Sequence, residues 1–299
     1  MSVKILLDET KYDDAQQSSF DNASFSENLS GDIFQIAREG DVSALHRYIA
    51  VCANNAKSIK KKLNSRDSDR ITPLHLAARY NKYDMVKYLI KNGANPQKRD
   101  NEGLHPLHYA AKYKRIKLIS MQKRNENIDR NSVTFEQLYE NLIKPTMQDS
   151  VIICIANSGG DVNAEDIYGC TPLHYAAIRC NEYGTVELLL CMGIDIEHKD
   201  HKDMRPVHLA ISHNSLIITK LLLKRDANIL CKDEDNGTPI HFAAMEGSMS
   251  IMLEIVDRAE RLGISTKDLM ADPDNEHNTA LMLSVENRNY DCAKYCLEL

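Results

Sequence analysis

The chain's histidines and cysteines, eleven and eight in number, are the side chains best suited to ligation or catalysis. His105-x-x-His108 has the i, i+3 look suited to a metal, and His198-x-x-His201 sets two imidazoles in one finger without a Cys or carboxylate partner at good spacing. Cys292-x-x-x-Cys296 would share a helix face, and Cys170, Cys180 and Cys191 fall close together, so thiol sensing is conceivable if a thiolate is exposed and its pKa lowered. Recurrence argues against these uses. His75, His108, His174, His208 and His241 all stand two residues after a proline, inside one repeated motif. A side chain kept at the same offset in five copies builds the copy, so these histidines read as structural. No Gly-rich phosphate loop, nucleophile elbow or kinase signature occurs. The expectation is therefore no catalytic residue, no metal, no bound cofactor, and a chain that is not an enzyme.

The elements behind that offset come from self-similarity. Thr72-Pro73-Leu74-His75-Leu76-Ala77-Ala78 returns as His105-Pro106-Leu107-His108-Tyr109-Ala110-Ala111 and as Thr171-Pro172-Leu173-His174-Tyr175-Ala176-Ala177. It returns again as Arg205-Pro206-Val207-His208-Leu209-Ala210-Ile211 and Thr238-Pro239-Ile240-His241-Phe242-Ala243-Ala244. The steps are 33, 66, 34 and 33 residues. The 66-residue step predicts a degenerate copy near residue 138, with Ser150–Asn163 as its second half. Weaker copies begin near Gly31 and at Thr279, which brings the expected number to about eight. Each end copy lies 41 residues from its neighbour, so extra residues near Asn54–Lys62 and Asp257–Asp268 should lengthen helix ends or loops.

Proline at a first helical position has its φ preset and no N–H to leave unpaired, so each motif starts a helix, with Thr before it as cap. Leu74, Ala77 and Ala78 make a small apolar face against which a second helix, Tyr83–Lys91, packs before Gly93 ends it. Polar turns then project as finger-like hairpins, expected at Asp67–Arg70, Arg99–Gly103, Asp166–Gly169, Asp200–Asp203 and Asp233–Asn236. Their tips are the candidate partner-binding residues: Asp69, Arg70, Asn101, Glu102, Ile167, Tyr168, Lys202, Asp203, Glu234 and Asp235.

On these motifs the chain is identified as a member of the ankyrin-repeat family. The fold implied is an all-α solenoid of helix-turn-helix copies, in which the family's motif His supports hydrogen bonds around the Thr-Pro turn. Residues 1–30 are expected to be disordered or weakly ordered, and 31–299 to form the array with its last repeat incomplete.

Composition agrees with many small cores. Hydrophobic residues are 43%, Trp is absent and Phe numbers five. The formal charge of −6 gives no general attraction to nucleic acid. Its one basic cluster, Lys57-Ser58-Ile59-Lys60-Lys61-Lys62, reads as a solvated face rather than a nucleic-acid or phosphoinositide patch. Apolar runs such as Val151–Ala156 fall far short of the ~20 residues that span a bilayer, and the N-terminus lacks the pattern of a signal peptide. A cytoplasmic chain with reduced thiols is expected.

Irregularities of the array carry a second resemblance. Glu165-Asp166-Ile167-Tyr168-Gly169 before Cys170–His174, the degenerate finger His198–Asp203, the stretch Asn236–Ala244, the lengthened helix ending Arg258–Gly263, Ala280–Asn287 and the weak copy between 112 and 150 resemble the ankyrin region of TRPA-type transient receptor potential channels. That resemblance implies cytosolic sensor material at the membrane face of a tetrameric calcium-permeable cation channel, with the other subunits as partners. The pore and the linker bearing the family's main electrophile-sensing cysteines are not in these residues, and a truncated product is expected. A stand-alone soluble ankyrin adaptor that binds protein partners is the alternative.

Overall fold

Pro73, Pro106, Pro172, Pro206 and Pro239 each open a short helix in the computed structural model, which describes residues 32–52, 56–113, 150–179 and 183–299. Every such helix is followed by a second that packs against it. The pairs are α1 (Ile33–Glu39) with α2 (Val42–Cys52), α4 (Pro73–Arg79) with α5 (Tyr83–Lys91), and α6 (Pro106–Tyr113) with α7 (Val151–Asn157). They continue with α8 (Pro172–Ile178) and α9 (Tyr183–Cys191), α10 (Pro206–Ser212) and α11 (Leu216–Lys224), α12 (Pro239–Glu246) and α13 (Met249–Arg261), and α15 (Ala280–Glu286) and α16 (Tyr290–Glu298). Successive first helices pack in one row, α1 on α4 on α6 on α8 on α10 on α12 on α15. The expected all-helical solenoid is what these residues form, and Ile33–Leu299 is one unit.

The small residues of the motif set the row's spacing. Leu74, Ala77 and Ala78 are buried, as are their counterparts Leu107, Ala110 and Ala111, and Leu173, Ala176 and Ala177. Alanine keeps neighbouring helices close, while the leucine fills the space between layers at roughly 1.5–3 kcal/mol per side chain. Met85, Val86 and Leu89 of α5 complete one such layer. Gly93, at φ +97°, turns the chain out of α5, with the Ala94 N–H on the Leu89 carbonyl at 3.0 Å.

Two sequence expectations are corrected. The copy expected near residue 138 is not a separate repeat: α7, within Ser150–Asn163, is the second helix of the pair that α6 begins. Since α6 packs directly on both α4 and α8, no first helix lies between them, and the described residues hold seven helix pairs. The 66-residue step is thus one repeat with extra chain between its helices. The weak copy read across 112–150 falls mostly in 114–149, outside the described residues, as do residues 1–30. The extra residues near the ends are additional helices as well as lengthened ones: α3 (Ala56–Leu63) on α2, and α14 (Thr266–Ala271) beyond the long α13.

Candidate functional site

Between one repeat and the next the chain turns back on itself around an aspartate. Asp67 Oδ1 accepts the N–H of Asp69 at 3.0 Å and of Ile71 at 2.8 Å. Asp100 does the same for Glu102 and Leu104, Asp166 for Tyr168 and Cys170, Asp200 for Lys202 and Met204, and Asp233 for Asp235 and Gly237. A short carboxylate that satisfies its own turn's amides makes a rigid finger without help from the core. All five expected fingers are present. A sixth, around Asp274 with the N–H groups of Glu276 and Asn278, was not anticipated. Its left-handed residue is His277, φ +63°; the Asp-to-Asn278 spacing was the available signal.

The fingers are joined edge to edge. Asn101 N–H donates to the Asp69 carbonyl at 3.0 Å, and Ile167 N–H to Glu102 at 3.0 Å. His201 N–H reaches Tyr168 at 2.9 Å, Glu234 N–H reaches Lys202 at 3.0 Å, and Asn275 N–H reaches Asp235 at 2.9 Å. The Glu102 to Ile167 step spans the insertion as if it were absent. With the tip backbone engaged in this ladder, the side chains are what remains for a ligand.

The motif histidines support the row from beneath. Nδ1 of His174 accepts the Thr171 N–H at 3.1 Å and lies 2.9 Å from Thr171 Oγ1; Nε2 lies 3.2 Å from the Met204 carbonyl, at the base of the next finger. A backbone N–H can only donate, so Nδ1 is the bare nitrogen and Nε2–H donates to the carbonyl. His75, His108, His208 and His241 repeat this link to Leu104, Cys170, Cys231 and Asp272 at 3.0–3.3 Å. The motif Thr, expected to cap its helix alone, shares that duty: the imidazole takes the cap N–H even where His105 or Arg205 replaces Thr. Burial holds His75, His174 and His208 down at about 4 and His108 at about 3, so all stay neutral. Tyr109 and Tyr175 donate to Asp100 and Asp166 at 2.8 and 2.5 Å, and burial raises both phenols.

The chemically suggestive spacings are accounted for locally. His105 Nε2 accepts from Arg99 Nε at 2.9 Å, while His108 faces its own helix start. His198 meets Glu165 at 3.2 Å. Burial raises the thiols of Cys154, Cys170, Cys231, Cys292 and Cys296, with Cys231 at about 12. That is the reverse of what a thiolate sensor needs. Cys180 lies outside the described residues.

The ten candidate tip residues all fall on the finger row. Asp69, Arg70, Asn101, Glu102, Glu234 and Asp235 are exposed; Lys202 and Asp203 are half-buried, Asp203 paired with Lys199 at 3.0 Å. Ile167 and Tyr168 are the apolar members, 53% and 42% exposed.

Ankyrin-repeat family models match residues 33–131 and 207–299 in several copies and 168–201 in one. The chain belongs to the ankyrin-repeat family. Neither matching model is an enzyme family, and this ankyrin array is a protein-interaction domain. Among similar proteins, a transient receptor potential cation channel subfamily A member 1 homolog of Caenorhabditis elegans is 29% identical over 52% of this chain and 12% of its own length. Ankyrin repeat protein OPG189 of vaccinia virus is 30% identical over 58% of this chain and 30% of its own. A B-cell lymphoma 3 protein homolog of Mus musculus is 29% identical over 67% and 40%. The ankyrin array therefore spans well under half the length of these relatives. The crystal structure of the Bcl-3 ankyrin repeat domain superposes with a TM-score of 0.62 at 23% identity, covering 90% of this chain and all of that one. Among the described residues, no helix is long and apolar enough to cross a membrane.

Proposed function

We propose that the array docks a protein partner on its finger row, with Ile167 and Tyr168 as the anchor. The observation that carries this is an exposed isoleucine–tyrosine pair held on a finger whose backbone is bonded to both neighbours. A rigid aromatic that loses little freedom on binding is the usual kind of energetic centre, and a charged surround excludes water from it. Glu234, Asp235 and Glu276 make one end of the row acidic, which favours a partner with basic residues beside its apolar contact. The test is affinity purification of the intact chain from its own cells beside the Ile167→Asp/Tyr168→Ser variant. Partners lost with the variant, at unchanged thermal stability, support the reading; an unchanged set of partners refutes it.

The setting we favour is the cytosolic sensor region of a TRPA-type channel, supported by the nematode relative and by the irregular repeats quoted above. A soluble adaptor is the second reading, supported by the Bcl-3-type relative, which covers more of the chain. Native protein that stays with salt-washed membranes favours the channel; native protein recovered wholly in the soluble fraction favours the adaptor.

A further inference from the structure

Three cations occupy one place in three successive repeats. Arg38, Arg79 and Lys112 stand in the last turns of α1, α4 and α6, first helices that pack in one row. A cation there complements the negative end of its helix, but the fold does not require it: α8, α10, α12 and α15 carry no basic residue in that turn. What holds the three is aromatic. Arg38 Cζ lies 5.2 Å from the centre of the Tyr80 ring, and Arg79 Cζ lies 5.8 Å from the same centre. Arg79 Cζ is also 4.5 Å from the centre of Tyr113, with Lys112 Nζ at 5.5 Å, and Lys112 Nζ reaches the Tyr175 ring of α8 at 5.2 Å. Neighbouring charges that share a ring stand roughly one helix spacing apart, about 8–10 Å.

A tyrosine face fixes a cation without neutralising it. All three cations are half-buried, so each is held in place and still reached by solvent. No carboxylate among the described residues is in ion-pair contact with Arg38 or Lys112, and Glu39, beside Arg38, accepts from Gln35 Nε2 at 2.6 Å. Tyr80 is 37% exposed and offers aromatic surface between the first two charges. Further along the row the sign reverses, with Glu246 and Glu286 closing α12 and α15. The basic stretch is therefore confined to one end of the row. Fixed charges at regular intervals with aromatic surface between them favour a chain of opposite charge that runs across the repeats.

The interval selects the form of that chain. A polyproline-II segment has three residues per turn and rises about 3.1 Å per residue, so every third side chain lies on one face, about 9 Å from the last. That is one side chain per repeat. We propose that this row docks an extended acidic segment of a partner protein, in polyproline-II form, with a carboxylate at every third residue. The carboxylates accept from Arg38 and Arg79 through their planar forks and from Lys112 as a point charge. The residues between them lie on Tyr80 and Tyr113, as apolar residues of such segments lie in aromatic-lined grooves. This surface is separate from the Ile167–Tyr168 contact and does not depend on it.

The test is fluorescence anisotropy on the full chain with a labelled peptide of four Glu-Pro-Pro units, beside a peptide of the same composition whose four glutamates are adjacent. The periodic peptide should bind about fivefold more tightly than the other, and its affinity should fall as salt rises. Arg38→Gln and Lys112→Gln should each weaken it by about fivefold, the weight of one exposed charge pair. Lys91→Gln, exposed on α5 and outside the row, should change it by less than about twofold. Circular-dichroism melts check that each variant is folded, and the comparison of the two peptides on the unmutated chain needs no variant. The Ile167→Asp/Tyr168→Ser variant should bind the periodic peptide as the unmutated chain does. No binding, equal binding of the two peptides, an unchanged affinity in Lys112→Gln, an equal loss in Lys91→Gln or a loss in the Ile167/Tyr168 variant would each overturn the proposal. So would a single-stranded oligonucleotide that binds as tightly as the periodic peptide, which would make the row a nucleic-acid surface.

Discussion

His108 Nε2 lies 3.1 Å from the carbonyl of Cys170, 62 residues along the chain. The equivalent bonds from His75 to Leu104 and from His174 to Met204 span 29 and 30 residues. The repeat machinery therefore closes across the insertion at its normal spacing. Replacing residues 114–149 with a turn like Tyr80-Asn81, which joins α4 to the start of the next helix, should preserve a cooperative melt and the protection of amides in α6 and α8. A variant that loses protection in α8 would show that 114–149 supports the array.

His174 links two repeats through three contacts, so His174→Ala leaves the Thr171 N–H and the Met204 carbonyl without their partner in a buried place. At about 1–3 kcal/mol for each orphaned group, the loss should be about 3 kcal/mol. Hydrogen exchange should localise it to the start of α8 and the finger at Asp200–Met204. Thr171→Ser keeps the hydroxyl and should cost under about 1 kcal/mol. Uniform loss of protection along the whole array would contradict a local link.

Buried histidines make the array acid-sensitive. Burial holds five of them near 3 to 4, His75, His105, His108, His174 and His208, while in the unfolded chain they titrate near 6.5. Above pH 6.5 both states are neutral and these groups have no effect. As pH falls from 6.5 towards 4 only the unfolded chain takes up protons, so stability drops, by about 2 kcal/mol per histidine at pH 5. Asp100, Asp200 and Asp233, whose pKa values burial raises, bind protons more readily when folded and offset part of the loss at the acid end. Urea midpoints measured from pH 7.5 to 4.5 should fall steeply below pH 6.5. A flat profile would disprove the neutral-histidine network, and His174→Asn should reduce the slope.

What could be read beforehand follows from where the information is local. Pro172 and the Nδ1 of His174 act within their own turn, and Tyr83–Lys91 is bounded by the Gly93 turn, so these elements were legible from type and spacing. The finger aspartates are equally local, and the finger at Asp274 carries the same signal in its Asp-to-Asn278 spacing. The pairing of α6 with α7 was not legible. A 66-residue step fits two repeats or one repeat with an insertion, and only the contact of α6 with α8 decides between them. Likewise Asn64, just after α3, holds the Gly93 carbonyl and the Asn95 N–H, a relation between repeats that no single motif contains.

Gly103 and Arg70 occupy the same left-handed place in successive fingers, as do Gly169, Asp203, Asn236 and His277. Positive φ is therefore tolerated by larger side chains, but a Cβ on Gly103 would lie 3.0 Å from the Ile167 backbone nitrogen. Gly103→Asn adopts the conformation readily yet pushes on the ladder bond between Glu102 and Ile167. We expect a loss of about 1–3 kcal/mol for Gly103→Asn and under 1 kcal/mol for Asn236→Gly. Equal thermal shifts for the two would show that φ alone governs the position.

The pair α15–α16 has a described neighbour only on the α12–α13 side, and in a solenoid stability is roughly a sum of repeat and interface terms. Leu283 is buried, and Tyr295 and Cys296 are half-buried. Met282, Val285 and Leu297 remain more than half exposed. Substituting the exposed set should thus do little: Val285→Gln and Leu297→Gln within about 0.5 kcal/mol. Leu283→Ala should cost about 2 kcal/mol, the low end for a buried leucine, because the site can relax towards solvent. Amides across residues 280–297 of the 299-residue chain should exchange at least about tenfold faster than those of α10 and α11, whose pair is flanked on both sides. Protection equal to that of α10 would mean that this pair draws stability from a contact other than α12–α13, and the nearest-neighbour account of the array would fail at its edge.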